Sequence, residues 1–285
     1  MPLYSLQSPT RTQLRRAKAR WAIHFLVETT FPLEIQRKMQ QQNKIRFGIG
    51  RIVRLAAVIA TFALLSGVAL AQTTFSNLDQ KTGWQSCTVC AGAGGNGAVA
   101  SLSSRLGVSS PAMDGASRQF NVGGSTKYAN ALWWKQLGAN SGASHFVYDL
   151  YYYIKTPTAP QALEFDVNQS RSGKKFIFGT ECDFGGTHTW HVYDPYNHHW
   201  VSTSIACTRP KAYTWNHVVL EFNRTSTGRT GFVTVSINGS KHYFNRSYAP
   251  RASGASEVNV AFQMDMNGSA TDYSTWLDKV KLTYW

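Results

Sequence analysis

The chain has 285 residues, 43% hydrophobic and 13% aromatic, enough for one large domain with a real core, which excludes disorder and coiled coil as overall states. Only 15% of residues are charged, and 23 Gly with 9 Trp, 13 Tyr and 15 Phe indicate a turn-rich β protein rather than a nucleotide-binding α/β one. The formal charge of +14 divides unevenly: residues 1–71 hold 11 Lys+Arg against 2 Asp+Glu, so residues 72–285 keep an excess of only +5, which sets solubility and names no nucleic-acid partner.

Residues 1–38 fit no targeting segment. An over-extended start, with translation beginning at Met39, is the simplest reading. The alternative is a basic amphipathic segment, in which Arg15, Arg16, Lys18 and Arg20 surround Leu14 and Trp21. Residues 39–71 have the layout of a secretory signal peptide. Lys44, Arg46, Arg51 and Arg54 precede an apolar run from Leu55 to Leu65, and Val68-Ala69-Leu70-Ala71 supplies the small residues of a cleavage site after Ala71. An uncleaved anchor is the competing expectation, against which Ser66-Gly67 interrupts the apolar stretch. The sequence therefore predicts a secreted or periplasmic protein that meets the membrane only during export. With no repeat and no Pro/Ser linker, residues 72–285 read as one domain, expected to be a monomer.

Four Cys lie in that region, and an even count in an exported chain predicts two disulfides. The expected pairing is Cys182 with Cys207, each beside a strand of one meander, and Cys87 with Cys90 as a small loop clip. A zinc site built on Cys87-x-x-Cys90 needs a second ligand pair at similar spacing, which Cys182 and Cys207 do not provide.

Strand signals follow in sequence. Trp133-Trp134, after Tyr128 in a polar stretch, are expected in the core, with a second sugar platform as the alternative. His145 to Ile154 is dense in aromatic and β-branched residues. Ala162 to Gln169 and Lys175 to Thr180 form a hairpin across Ser170-Arg171-Ser172-Gly173. Thr187 to Tyr193 and His199 to Ile205 form another across Asp194-Pro195-Tyr196-Asn197. Trp215 to Phe222, Gly231 to Ile237, Lys241 to Phe244, Glu257 to Met264 and Thr275 to Trp285 complete the set. Many short strands without a long helix predict an all-β, two-sheet antiparallel β-sandwich.

The strand Ala162-Leu163-Glu164-Phe165-Asp166-Val167, the hairpin at Ile237-Asn238-Gly239 and the closing strand Trp276-Leu277-Asp278-Lys279-Val280-Lys281-Leu282 resemble the concanavalin A-like lectin and glucanase jelly rolls. The whole region also resembles a group of uncharacterised exported acidobacterial proteins. The resemblance implies a curved sandwich whose concave sheet handles a glycan. In the laminarinase-like retaining glycosidases, a strand of the form Glu-x-Asp-x-Glu or Glu-x-Asp-x-x-Glu supplies nucleophile, helper and acid. By that resemblance Glu164 is the nucleophile and Asp166 the helper. The acid position falls on Asn168 or Gln169, however, and neither amide can protonate a leaving oxygen. Glu181, at the end of the paired strand, is the nearest replacement. The resemblance also implies a structural calcium, for which Asp265, Asp272 and Asp278 offer oxygen ligands. No other cofactor is expected.

On a strand, Glu164, Asp166 and Asn168 share one face, suited to holding sugar hydroxyls, a cation or neighbouring groups. The window Thr187 to Trp200 adds His188, Trp190, His191, Tyr193, Asp194, Tyr196, His198, His199 and Trp200, rings that can stack on pyranose faces. Period two puts Trp190 and Tyr193 on opposite faces, so one of them, not both, belongs to the site. The expected ligand-binding set is Glu164, Asp166, Asn168, Trp190 or Tyr193, His191 and Trp200. A metal held through His188, and a polysaccharide lyase using His145 with Tyr148, Tyr151 and Tyr153, are lesser alternatives. Phosphate loops, Gly-x-Ser-x-Gly and His-Glu-x-x-His are absent. The leading expectation is an exported module that binds polysaccharide without catalysis. The alternatives are a glycoside hydrolase or lyase using Glu164, and a structural or adhesion protein of the cell surface.

Overall fold

Alternation of apolar and polar side chains dictates the strands of this chain. In His145–Ile154 every second residue from Phe146 onward is buried and the rest are half-buried, as expected where one face meets a core. The computed structural model describes residues 71–88, 97–139, 142–269 and 271–285, so residues 1–38, the expected signal peptide and Cys90 lie outside the described residues. In chain order the strands are β1 Thr73–Phe75, β2 Trp84–Cys87, β3 Ser101–Val108, β4 Ser117–Gly123, β5 Asn130–Gln136, β6 His145–Ile154, β7 Pro160–Arg171 and β8 Lys174–Cys182. They continue as β9 Thr189–Asp194, β10 His199–Ala206, β11 Thr214–Arg224, β12 Thr230–Ile237, β13 Ser240–Tyr248, β14 Arg251–Ala252, β15 Glu257–Met266 and β16 Tyr273–Tyr284. The helical element among the described residues is a 3-10 turn at Leu78–Gln80.

Two eight-stranded sheets face each other. The back sheet runs β13-β12-β11-β6-β16-β4-β3, with β1 beside β16. The front sheet runs β10-β9-β8-β7-β15-β5-β2, with β14 beside β8. Neighbouring strands pair antiparallel in both, so the predicted fold class holds. β6 to β13, β15 and β16 sit where the sequence places them, with ends that differ by at most four residues; β9 starts two residues later than expected and β16 ends one earlier. β1 to β5, which it does not foresee as strands, supply one edge of each sheet.

Aromatic side chains fill the space between the sheets. Phe146 meets Phe178 at 5.3 Å, Phe178 meets Phe222 at 5.4 Å and Phe120 meets Phe262 at 5.1 Å between ring centroids. Each fully buried ring contributes about 1.5–3 kcal/mol through burial, so this layer dominates the stability. Trp190 belongs to it: 2% exposed, it lies 6.3 Å from Phe165. Of the two rings offered for the site, Trp190 is therefore a core ring, because β9 turns it inward and Tyr193 outward. Tyr148 is likewise in the core, whereas His145, Tyr151 and Tyr153 lie on the outer face of the back sheet. The residues offered for a lyase do not converge.

Local chemistry closes the hairpins. Ser172 and Gly173 have φ of +48° and +76°, the left-handed pair that a two-residue turn needs to match strand twist. Asp194 Oδ1 accepts the Tyr196 and Asn197 N–H groups at 3.0 and 3.1 Å and so ties the β9–β10 turn. Cys182 and Cys207 form the expected disulfide, with Cα atoms 5.5 Å apart. Closing a loop of that length stabilises by about 3 kcal/mol, and such a bond suits an oxidising compartment outside the cytoplasm. The expected Cys87–Cys90 clip rests on Cys90 and lies outside the described residues. Among the described residues no helix is long and apolar enough to cross a membrane.

Candidate functional site

The outer face of the front sheet is polar where a solvent face is expected, yet its centre is buried. β7 places Glu164, Asp166 and Asn168 there, each at most 9% exposed. Register joins them to the neighbouring strands. Glu164 stands opposite Glu181 of β8 and Gln263 of β15, Glu181 opposite His191 of β9, and His191 opposite Ser202 of β10. One polar ladder thus crosses five strands.

At its centre, carboxylate oxygens of Glu164, Glu181 and Asp265 all lie within 4.8 Å of one another. The Gln263 amide donates to Glu164 and, at 3.0 Å, to Asp265 Oδ1. His191 Nδ1 donates to Glu181 Oε1 at 2.5 Å, and its Nε2 lies 2.8 Å from Thr187 Oγ1. Asp183 accepts the Gln161 amide and the Thr187 N–H, both at 2.7 Å, which fixes the loop that presents Thr187.

Burial sets the charge state. It holds Glu164 and Asp265 well above the carboxylate range; the charges of Asp265, Asp166 and Glu181 raise Glu164 further, and that of Glu181 raises Asp265. Asp166 is pushed up to about 7, chiefly by burial, against the opposing pull of the Thr180 N–H on its Oδ1. Burial raises Glu181 too, although His191 opposes it. A pair of carboxyl groups is what glycoside hydrolysis uses, at a separation of about 5–5.5 Å in retaining enzymes. The same oxygens are the kind that hard divalent cations take.

A second row lies beside the ladder. Trp200 pairs with Tyr193, while Asp166 stands between Gly179 and Ala261, with Trp134 beyond. The Tyr193 and Trp200 rings are 5.2 Å apart, and a Cβ at Gly179 would come within 3.4 Å of the Trp200 ring. Absence of a side chain at Gly179 makes room for that ring. On the other side, Trp134, Asn168, Lys175, Glu257, Asn259 and Ala261 line a trough of about 350 Å³. Asn168 Nδ2 donates to Asn259 Oδ1 at 3.0 Å across its floor.

The expected residues Glu164, Asp166, Asn168, Glu181, His191, Tyr193 and Trp200 therefore share one face, and Trp190 does not. Gln169, the other amide at the acid position, points inward and donates to the Ala143 carbonyl at 2.8 Å. His188, His198 and His199 are exposed, and among the described residues no histidine cluster able to hold a metal forms. Gln263, Asn259 and Gly179 complete the face without having been singled out from sequence, together with Asp265, expected as a calcium ligand, and Trp134, expected in the core or as a second sugar platform. Strict alternation in Glu257-Val-Asn-Val-Ala-Phe-Gln-Met-Asp265 was the available signal.

The acids expected to bind calcium do not form one site. Asp265 sits in the carboxylate cluster, Asp272 Oδ1 accepts the Gly124 N–H at 3.3 Å, and Asp278 Oδ2 accepts the Met113 N–H at 2.5 Å on the back sheet. Near Asp278, Asp79 is pushed up to about 7, mainly by burial with a contribution from Asp278. Asp79 Oδ2 and Asp278 Oδ1 are both buried without a hydrogen-bond partner.

No family model and no curated protein matches the chain. Among solved structures, it is similar to a sialidase at 10% identity and a TM-score of 0.36, over 60% of this chain but only 15% of that one. It is also similar to a cellulose induced protein, Cip1, at 10% identity and a TM-score of 0.45, over 73% of this chain and 96% of that one. For peanut lectin the identity is 11% and the TM-score 0.40, over 75% of this chain and 98% of that one. Likeness at this level does not assign a ligand.

Proposed function

We propose that this protein is an exported module that binds a polysaccharide on the outer face of its front sheet, without turning it over. The observation that carries the reading is the row Trp200, Tyr193, Gly179, Asp166, Ala261, Trp134. Large rings stand at both ends of a floor of small residues, with polar groups between them. Five strand spacings separate Trp200 from Trp134, about 24 Å, room for several sugar units. Rings stack on the apolar faces of pyranoses, while Asp166, Asn168 and Asn259 hydrogen-bond the hydroxyls at their edges.

A second reading, retaining glycoside hydrolysis, is favoured by the carboxylate oxygens within 4.8 Å of each other. In it Glu164, which burial and its acidic neighbours hold well above the carboxylate range, protonates the leaving oxygen, and Glu181, beside His191, attacks the anomeric carbon. These roles reverse those that the resemblance implies for Glu164.

The test is retention of the purified chain on a panel of insoluble polysaccharides, with released reducing ends scored in parallel and with Glu164→Gln alongside. Retention without release, altered by Glu164→Gln by less than about tenfold, is the expected result. Release abolished by Glu164→Gln would establish the hydrolase. Neither retention nor release across the panel would leave a structural or adhesive role.

A further inference from the structure

The hairpins β7–β8 and β11–β12 come together at one end of the sandwich around a cleft of about 620 Å³, lined by Arg171, Lys174 and Arg224 with Ser144, Phe176 and Thr225. No acid lines it, and among the described residues none of these three cations has an ion-pair partner. Lys175, one position along on the opposite face of β8, is by contrast tied to Glu257 at 3.4 Å. The cleft cations are thus set apart from the acids of the front face.

Arg224 is held for a purpose other than pairing. Its Nη2 donates to the Ala143 carbonyl at 3.1 Å, and its guanidinium carbon sits 5.8 Å from the centre of the Phe176 ring. Burial, and then the like charge of Arg171, push its pKa below the ordinary arginine value. Two guanidinium groups facing one space repel each other, and an anion between them removes that repulsion and accepts their N–H groups. Planar guanidinium forks match the oxygens of carboxylate and sulfate, with the Ser144 and Thr225 hydroxyls at hand as further donors.

We propose that this cleft binds an oxyanion substituent, a sulfate ester or a carboxylate, carried on the polysaccharide that the front face recognises. The inference rests on the polysaccharide reading. A nucleic acid is the less fitting polyanion, because its phosphates call for cations spaced along a track, whereas these three converge on one cleft.

The test measures affinity of the full chain for cellulose and dextran, each in neutral, carboxymethylated and sulfated form, with duplex DNA as a fourth probe. Acidic forms should bind about tenfold or more tighter than neutral ones, and the carboxymethylated and sulfated arms identify which oxyanion is preferred. Arg171→Gln with Lys174→Gln should abolish that excess, leaving neutral binding within about twofold and the melting temperature unchanged. Lys211→Gln with Lys241→Gln, the same change of charge elsewhere, should leave the excess intact. An equal loss in both variants, or DNA bound as tightly as the sulfated polymer, would reduce the cleft to general polyanion attraction and overturn the inference. Equal binding of neutral and acidic forms would overturn it while the polysaccharide reading stands. Retention of no polymer would overturn both.

Discussion

Acids stand at outward strand positions on both sheets, and the two outer faces treat them in opposite ways. On the back sheet Asp149 has His217 at 2.7 Å and Lys281 at 2.8 Å, and Glu221 has His145 at 3.0 Å and Lys241 at 3.6 Å. Each of these two carboxylates has a His on one side and a Lys on the other and remains partly in water. On the front sheet Glu164, Glu181 and Asp265 crowd together, more deeply buried, with His191 on Glu181 and one Gln263 amide serving two carboxyls. The Oε1 of that amide is left buried without a partner. Half-exposed ion pairs of the first kind contribute little and cost little. Buried like charges of the second kind work against folding, and such clusters are where functional sites are sought.

Removing front-face charge should therefore stabilise the protein. Glu164→Gln with Asp265→Asn is expected to raise the unfolding free energy at pH 7.5 by about 2–4 kcal/mol in urea titrations. A loss of stability would break the contrast between the faces. Buried carboxyls also have a pH signature. Asp166 and Asp79 titrate near 7 in the folded state and near 3.8 when unfolded, so between those values the native state holds more protons. Stability must then fall as pH rises from about 4 to about 7, by as much as about 4 kcal/mol per group. Asp166→Asn on the front face and Asp79→Asn beside the back sheet should each flatten part of the fall in melting temperature over that window.

Binding sharpens the comparison further. Trp134→Ala and Trp200→Ala should each weaken polysaccharide retention about tenfold, read by affinity electrophoresis, with the fold intact by circular dichroism. Gly179→Ala adds a Cβ 3.0 Å from Tyr193 Cβ and 3.4 Å from both Asp166 Oδ1 and the Trp200 ring. A displacement of Trp200 by that methyl group should lower affinity a few-fold. The smallest effect belongs to the back sheet, where Asp149→Asn should lower stability by only about 0.5–1 kcal/mol and leave glycan affinity unchanged.

Much of the architecture could be read from residues, and the reasons are local. The β7–β8 and β9–β10 hairpins announce themselves through Ser172-Gly173 and Asp194-Pro195 between alternating runs. β3 does not, because six of the eight residues of Ser101–Val108 are exposed and no apolar period marks it. Trp133 and Trp134 look alike in sequence, but adjacent strand positions send one to the core and the other to the trough. Glu164, Asp166 and Glu181 could be grouped because one hairpin joins them. Asp265 and Gln263 reach the same cluster through the pairing of β15 with β7, a hundred residues apart in the chain, which no local pattern specifies. Alternation alone could not tell whether Trp190 or Tyr193 faces the core, since either phase of a strand is regular until its partner sheet is known.

The most direct test of the account compares ring pairs on the two faces. Trp134→Ala with Trp200→Ala removes the front rings. Tyr153→Ala with Trp215→Ala removes a back-sheet pair whose centroids are 5.3 Å apart. Retention on the polysaccharide that binds the unaltered chain best should be lost in the first variant and kept in the second. Loss in the second with retention in the first would place binding on the opposite sheet and contradict the account.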